Sequence, residues 1–214
     1  MGRMDAKPMP DCLPAKLYLL AWDAGRRRVR GGEVLSYVLR AGILAELHQR
    51  GCLTDRDGRA VVADRRTGDP MLDWVLRDLA ARPRPKRWKA LVQRDRRRSR
   101  QAVERQLEAT GAIRVERRTL LPDRVLVERP EVVRQLRAEA SGPLFDHAVP
   151  VPQIPRQQAA LTVMAAVGRL PDVFTGRDRW RNRGRLKELT AYSGVVPRAL
   201  KKALTERAAG NTPA

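Results

Sequence analysis

The sequence predicts a mainly α-helical single domain carrying one or two short β-hairpins, and three observations predict it. Between Val34 and Leu47, apolar side chains fall on almost every face of a helix, the pattern of a buried central helix rather than an amphipathic surface one. Pro14, Pro70 and Pro130 each stand at the start of a segment with apolar residues at helical spacing, where a missing N–H costs nothing. The unit helix, glycine, hairpin occurs twice, at 34–63 and 99–127, a weak internal symmetry rather than a solenoid. At 214 residues the chain is long enough for one domain with a sizeable core.

Taken in order, residues 1–11, with Pro8 and Pro10 and little to bury, read as a disordered arm ahead of a domain over 12–208 and a flexible tail at 209–214. A helix runs from Pro14 to about Trp22 on Leu17, Leu19 and Leu20. A basic loop follows at 25–32, and then the central helix, which Gly51 stops. Asp57-Gly58, flanked by strand-like residues, predicts a hairpin over 53–63. Asp69-Pro70 opens a helix with Met71, Leu72, Val75, Leu76 and Leu79 inward, and the Arg-Pro-Arg-Pro run at 82–85 breaks it. A short helix around Trp88 precedes a helix over 94–111 with Val103 and Leu107 buried and Gly111 as its stop. Residues 112–127 give a second hairpin, Pro130 begins a helix to about Ala140, and the prolines of 141–155 make an extended connector. Helices are expected at 156–168, 184–193 and 197–208, with loop and a short helix over 169–184.

Composition narrows the function. A formal net charge of +20 calls for a polyanionic partner: nucleic acid, an acidic membrane surface or an acidic protein. Two cysteines, Cys12 and Cys52, are too few for a disulfide scaffold or a cysteine zinc site and predict reduced thiols in a cytosolic protein. No signal-peptide core or membrane-spanning run is read, so any membrane contact is peripheral. Aromatic residues at 4% argue against a stacking platform for single strands. No metal or cofactor is expected, because His48 and His147 lie in unrelated contexts and no phosphate-cradling, dinucleotide or nucleophile-elbow motif occurs. His48 reads as a partly exposed helix residue. Asp69 and Asp73 read as acids that offset a helix dipole rather than as a catalytic pair, and the expectation is that the chain is not an enzyme.

The cations stand out. Arg40 is a fixed guanidinium in an apolar helix and needs water, a carboxylate such as Glu33, or a bound anion. Four arginines between glycines at 25–32 are either a solvated loop or an anion-facing one. Five arginines against one aspartate in the first half of the 94–111 helix repel at i, i+3 and i+4 unless an anion lies over them. Two binding readings follow. The helix–Gly–hairpin units could be winged-helix-like DNA-binding modules, or arginines of separate helices could converge on a lipid phosphate. A groove-reading helix is polar, and 34–50 is apolar all round, which favours the lipid.

Leu39-Arg40-Ala41-Gly42-Ile43-Leu44-Ala45-Glu46-Leu47, Arg50-Gly51-Cys52-Leu53, Thr67-Gly68-Asp69-Pro70-Met71-Leu72-Asp73 and the stretch from Arg97 to Gly111, with the Leu-rich opening helix, resemble the Golgi phosphoprotein 3 family in order and spacing through most of the chain. The resemblance implies a helical bundle wrapped by amphipathic helices with short hairpins. It also implies a cytoplasmic, peripherally membrane-associated protein that binds an anionic phosphorylated lipid head group, phosphatidylinositol 4-phosphate or a bacterial anionic lipid. Its implied partners are that lipid and the tails of membrane proteins, with nucleic acid as the competing partner. By similarity the lipid-phosphate site falls on Arg40, Arg97 and Arg100, while the family's tryptophan position is Gly31, so the ligand need not be a phosphoinositide. The bilayer-dipping hairpin corresponds to 114–127, where Leu120, Leu121 and Val125 could serve, and Arg26, Arg27 and Arg28 would add charge at roughly 1 kcal/mol each near an acidic membrane.

Overall fold

The computed structural model describes residues 11–63, 66–119 and 123–210. The expected arm therefore lies, apart from Asp11, outside the described residues, as do residues 211–214 of the expected tail. Asp11 itself is tied down by Lys16 Nζ at 2.7 Å.

The interior is built from α1 (Leu13–Leu20), α2 (Gly32–Gln49) and α7 (Arg156–Val167), each nearly enclosed. Apolar residues on all faces forbid a solvent-facing side, so these helices take the middle and the amphipathic ones cover them. α1 and α2 approach closely at Gly42, where a Cβ would lie 2.8 Å from Leu17 Cδ1 and 3.2 Å from Pro14 Cα. Glu46, only 5% exposed, turns back from α2 to accept the Leu13 N–H at 2.9 Å. It thereby supplies the N-terminal cap that Cys12 does not give α1. Burial pushes the neighbouring Cys12 thiol up to about 11.

Around this centre lie α3 (Pro70–Ala80), α4 (Trp88–Gln93), α5 (Arg96–Ala109), α6 (Pro130–Phe145), α8 (Gly176–Arg181), α9 (Arg183–Tyr192) and α10 (Val195–Gly210). Asp69 caps α3 by accepting from the Met71 and Leu72 N–H groups at 2.9 and 3.1 Å. Asp73 accepts from Thr67 N and Oγ1, which lowers its carboxyl below the usual range. Both acids thus shape the start of the helix. α5 buries Ser99, Val103 and Leu107 against α2 and leaves its other faces charged.

Among the described residues three small antiparallel sheets decorate the bundle. β1 (Trp22–Asp23) pairs with β2 (Arg28–Val29), and β6 (Ile113–Glu116) pairs with β7 (Arg124–Val127). β3 (Leu53–Arg56) and β4 (Arg59–Val62) form the expected Asp57-Gly58 hairpin, with φ of 51° and 74° at the two turn residues, the left-handed pair that a tight hairpin demands. β5 (Lys86–Arg87) adds a third strand to it.

Four expectations need correction. α1 ends at Leu20, and Trp22 begins a hairpin whose far strand lies within the basic loop. α6 continues through Pro143 to Phe145 instead of stopping near Ala140. A proline there leaves the carbonyl four residues earlier without its helical donor, and Gln158 Nε2 of α7 donates to that Glu139 oxygen at 3.0 Å, so the helix survives. A single turn of 3₁₀-helix at Val151–Gln153 interrupts the connector. α10 reaches Gly210, past the expected domain end at 208.

Candidate functional site

The β1–β2 hairpin is a poor structure by itself, two residues per strand, and it stands because its neighbour holds it. Trp22 Nε1 donates to Val125 O at 2.7 Å and Val125 N donates to Arg27 O at 2.8 Å, which ties both ends of the hairpin to β7. Asp23 gathers the Arg26 N–H at 3.0 Å, the Arg26 guanidinium at 3.1 Å and Arg30 at 3.7 Å. That backbone bond and the two cations hold its carboxyl below the usual range. The chain then passes through Gly31 and Gly32, with φ of 99° and 50°, into α2. Nothing with a side chain adopts two such steps cheaply. No side chain caps α2, so the N–H groups of its first turn and the positive end of its dipole are available to an anion.

That helix start opens on a cleft of about 470 Å³ between the hairpin, α5 and the β6–β7 pair. Arg28 and Arg30 line one side and Arg100 the other, with Gly31 and Gly32 between them. Arg100 Nη1 donates to Gly32 O at 3.0 Å, which orients the guanidinium along the cleft wall. The floor carries Tyr18, whose hydroxyl donates to Glu104 Oε2 at 2.7 Å. Burial and then this carboxylate push the phenol far above its ordinary value, so it stays protonated with its hydrogen committed to Glu104. Asp123 lies at the rim.

The residues singled out in the sequence are distributed unequally around this cleft. Arg100 lines it. Arg97, three residues earlier on α5, is exposed and has no hydrogen bond or ion pair among the described residues. Residues three apart on a helix are neighbours on its surface, so Arg97 extends the Arg100 side outward. Arg28 lines the cleft, Arg26 is engaged by Asp23, and Arg27 sits at the exposed tip. Leu120 and Leu121 lie outside the described residues.

Arg40 is elsewhere. It is 1% exposed and reaches from α2 into the seam with α4 and α5, where Nε donates to Leu91 O at 3.1 Å and Nη1 to Ser99 Oγ at 3.4 Å. Burial pushes its pKa down to about 10 against the pull of Asp95 and Asp78, so it stays charged at neutral pH. The cage of three arginines around one phosphate is not assembled. Ser99 turns inward on α5 to meet Arg40 while Arg97 and Arg100 turn outward, because successive residues on a helix are about 100° apart. Nor does Glu33 pair with Arg40. It clasps Arg96 at 2.6 Å and Arg207 at 3.0 Å, fastening the start of α2 to α5 and α10, and both hydrogen bonds hold its carboxyl below the usual range.

Sequence reasoning passed over Tyr18, Glu104 and Asp123, which carry no local signal, and it named Arg30 only as part of a charge run. Chemically the cleft offers the cationic donors of Arg28, Arg30 and Arg100 and the backbone N–H groups of the helix start, set against the carboxylates of Glu104, which holds the Tyr18 hydroxyl, and Asp123. This set suits a phosphate-sized anion with one polar substituent. Among the described residues no group of three His, Cys, Asp or Glu side chains is placed to hold a metal ion, and no helix is long and apolar enough to cross a membrane.

The family described as Golgi phosphoprotein 3 (GPP34) fits residues 13–207. No curated protein matches the sequence.

Proposed function

The chain belongs to the Golgi phosphoprotein 3 (GPP34) family, and from that premise we propose that it is a peripheral membrane protein that binds the phosphorylated head group of an anionic lipid in the cleft beneath the β1–β2 hairpin. The observation that carries this reading is the uncapped start of the 18-residue helix α2 opening between Arg28, Arg30 and Arg100. A helix N-terminus and three guanidiniums address one phosphate by the same physics, charge-assisted N–H bonds to its oxygens. Arg97 meets a second oxygen or a neighbouring head group, and Arg26 and Arg27 add long-range attraction to the acidic surface. Arg40 supports the site from behind by fixing α5 against α2. The role proposed is binding rather than catalysis.

The family's best-known ligand is phosphatidylinositol 4-phosphate, and here the head group is recognised without a tryptophan at Gly31. The cleft therefore reads phosphate and charge more than the inositol ring. Sedimentation with vesicles of phosphatidylinositol 4-phosphate, phosphatidylglycerol and cardiolipin, run beside a DNA shift assay at matched salt, tests the reading. Binding to anionic vesicles is expected, and Arg28→Ala with Arg30→Ala should lower it by about tenfold or more. DNA affinity should be weak and should collapse by orders of magnitude between about 50 and 200 mM salt. Tight, sequence-selective DNA binding without vesicle binding would overturn it.

A further inference from the structure

α8 is only six residues long, yet it is firmly built. Thr175 and Asp178 cap its start reciprocally, with Asp178 N donating to Thr175 Oγ1 at 3.1 Å and Thr175 N to Asp178 at 2.7 Å. Asn182 Nδ2 closes its end on Asp178 O at 3.0 Å. On this rigid turn sits Trp180, 67% exposed, while Trp22 and Trp88 are buried and Trp74 packs against the core. The other exposed large hydrophobic among the described residues, Phe145 at 46%, stacks on Phe174 at 6.0 Å. Arg179, the residue before Trp180, donates to the Phe174 carbonyl at 2.9 Å. Both exposed apolar side chains therefore flank one short helix.

A lone surface tryptophan needs no explanation, but the company of this one is specific. Arg177 and Arg183 stand three residues to either side and Arg181 is adjacent, all exposed. The Arg183 guanidinium lies over the indole ring, 5.3 Å from its centroid, and the tryptophan still remains 67% exposed. Arg137 donates to Trp22 O at 3.1 Å and to Asp172 at 3.5 Å, so the segment leading to α8 meets the base of the β1–β2 hairpin through one side chain. An amphipathic ring ringed by cations and held on a rigid turn is complementary to one kind of surface: a headgroup layer with phosphates outside and acyl chains beneath.

We propose that α8 is a second membrane contact of this chain, in which Trp180 seats at the boundary between head groups and acyl chains of an anionic bilayer while Arg177, Arg181 and Arg183 bind lipid phosphates. This rests on the membrane reading given above and adds the apolar anchor that Gly31 does not provide. Vesicles of phosphatidylglycerol with bromine-labelled acyl chains test it. Wild-type tryptophan fluorescence should be quenched on binding, and the Trp180→Phe variant should bind with the quenching largely gone, because Trp22 and Trp88 are buried and Trp74 is half-buried against the core. Trp180→Ala should weaken vesicle binding about five- to twentyfold with an unchanged circular-dichroism spectrum. If wild type binds vesicles without quenching and Trp180→Ala binds as well as wild type, α8 is not a membrane contact and the cleft reading stands alone. If Trp180→Ala spares vesicle binding and instead weakens binding of a single-stranded oligonucleotide, the indole is a base-stacking residue and the proposal falls. If wild type binds no anionic vesicle, the membrane reading and this inference fall together.

Discussion

Arg40 and Arg100 belong to helices that pack directly on each other, and they have opposite fates. Arg40, in the α2–α5 seam, is 1% exposed, gives Nε to Leu91 O and Nη1 to Ser99 Oγ, and leaves Nη2 buried without a partner among the described residues. Arg100, on the outer side of the same seam, makes one bond to Gly32 O and turns the rest of its guanidinium to a solvent-filled cleft with Arg28 and Arg30. A buried cation bonded to neighbouring helices organises the fold even with one donor unmatched, whereas a cation held by one bond beside two others at a helix start is, on the proposed reading, available to a ligand. Residue type and spacing look alike in the two cases. Burial and partners separate them.

Breaking the seam should have the largest effect, and it should be on stability. Arg40→Ala removes a large buried side chain and strands the Leu91 carbonyl, so chemical denaturation should report a loss of about 2–4 kcal/mol. Arg40→Met, which refills the volume without a charge, should recover much of that loss. Gly42→Ala probes the same interior without touching charge. With its new Cβ 2.8 Å from Leu17 Cδ1, it should cost about 1–3 kcal/mol in thermal or denaturant unfolding. The cleft side should behave in the reverse manner. Arg100→Ala should leave stability within about 0.5 kcal/mol and weaken anionic-vesicle binding about tenfold, while Arg105→Ala, further along α5, should change binding less than about twofold. Smallest is the Glu33 clasp, which spans both regions. Its lowered carboxyl contributes stability above the unfolded glutamate value, and that contribution is lost as pH falls through the lower folded one. Being partly exposed, it is worth less than about 1 kcal/mol. Glu33→Gln should therefore be slightly less stable at pH 7 and lose less on acidification below about pH 4.

The interior was the legible part of this fold. The apolar run of α2, the Asp57-Gly58 turn, the Asp69 cap and the glycine stops at 51 and 111 are local signals, and each sits where its chemistry requires. The misread elements depend on distant partners. The two-residue strands of β1–β2 exist because Val125 and Trp22 bind across 103 residues, β5 exists because β4 offers an edge, and α6 passes Pro143 because Gln158 takes the freed Glu139 carbonyl. The site divides in the same way. The arginine runs at 26–30 and 96–100 were visible as charge needing an anion. That Ser99 faces inward while Arg97 and Arg100 face outward is set by which side of α5 meets α2, which no spacing of arginines alone reveals. Gly31 is the instructive position. Where the family resemblance places a tryptophan, φ is 99° and a Cβ would sit 3.2 Å from Leu35 Cβ, so this chain makes the turn into α2 from backbone alone and carries its exposed indole at Trp180.

The central claim is that the outer arginine binds and the inner one supports. The most direct measurement titrates wild type, Arg100→Ala and Arg40→Met, each checked to be folded, against phosphatidylglycerol vesicles at one ionic strength. The account predicts about a tenfold loss for Arg100→Ala and less than about twofold for Arg40→Met. An equal loss for both variants, or a larger one for Arg40→Met, would mean that Arg40 contacts the ligand directly and would contradict it.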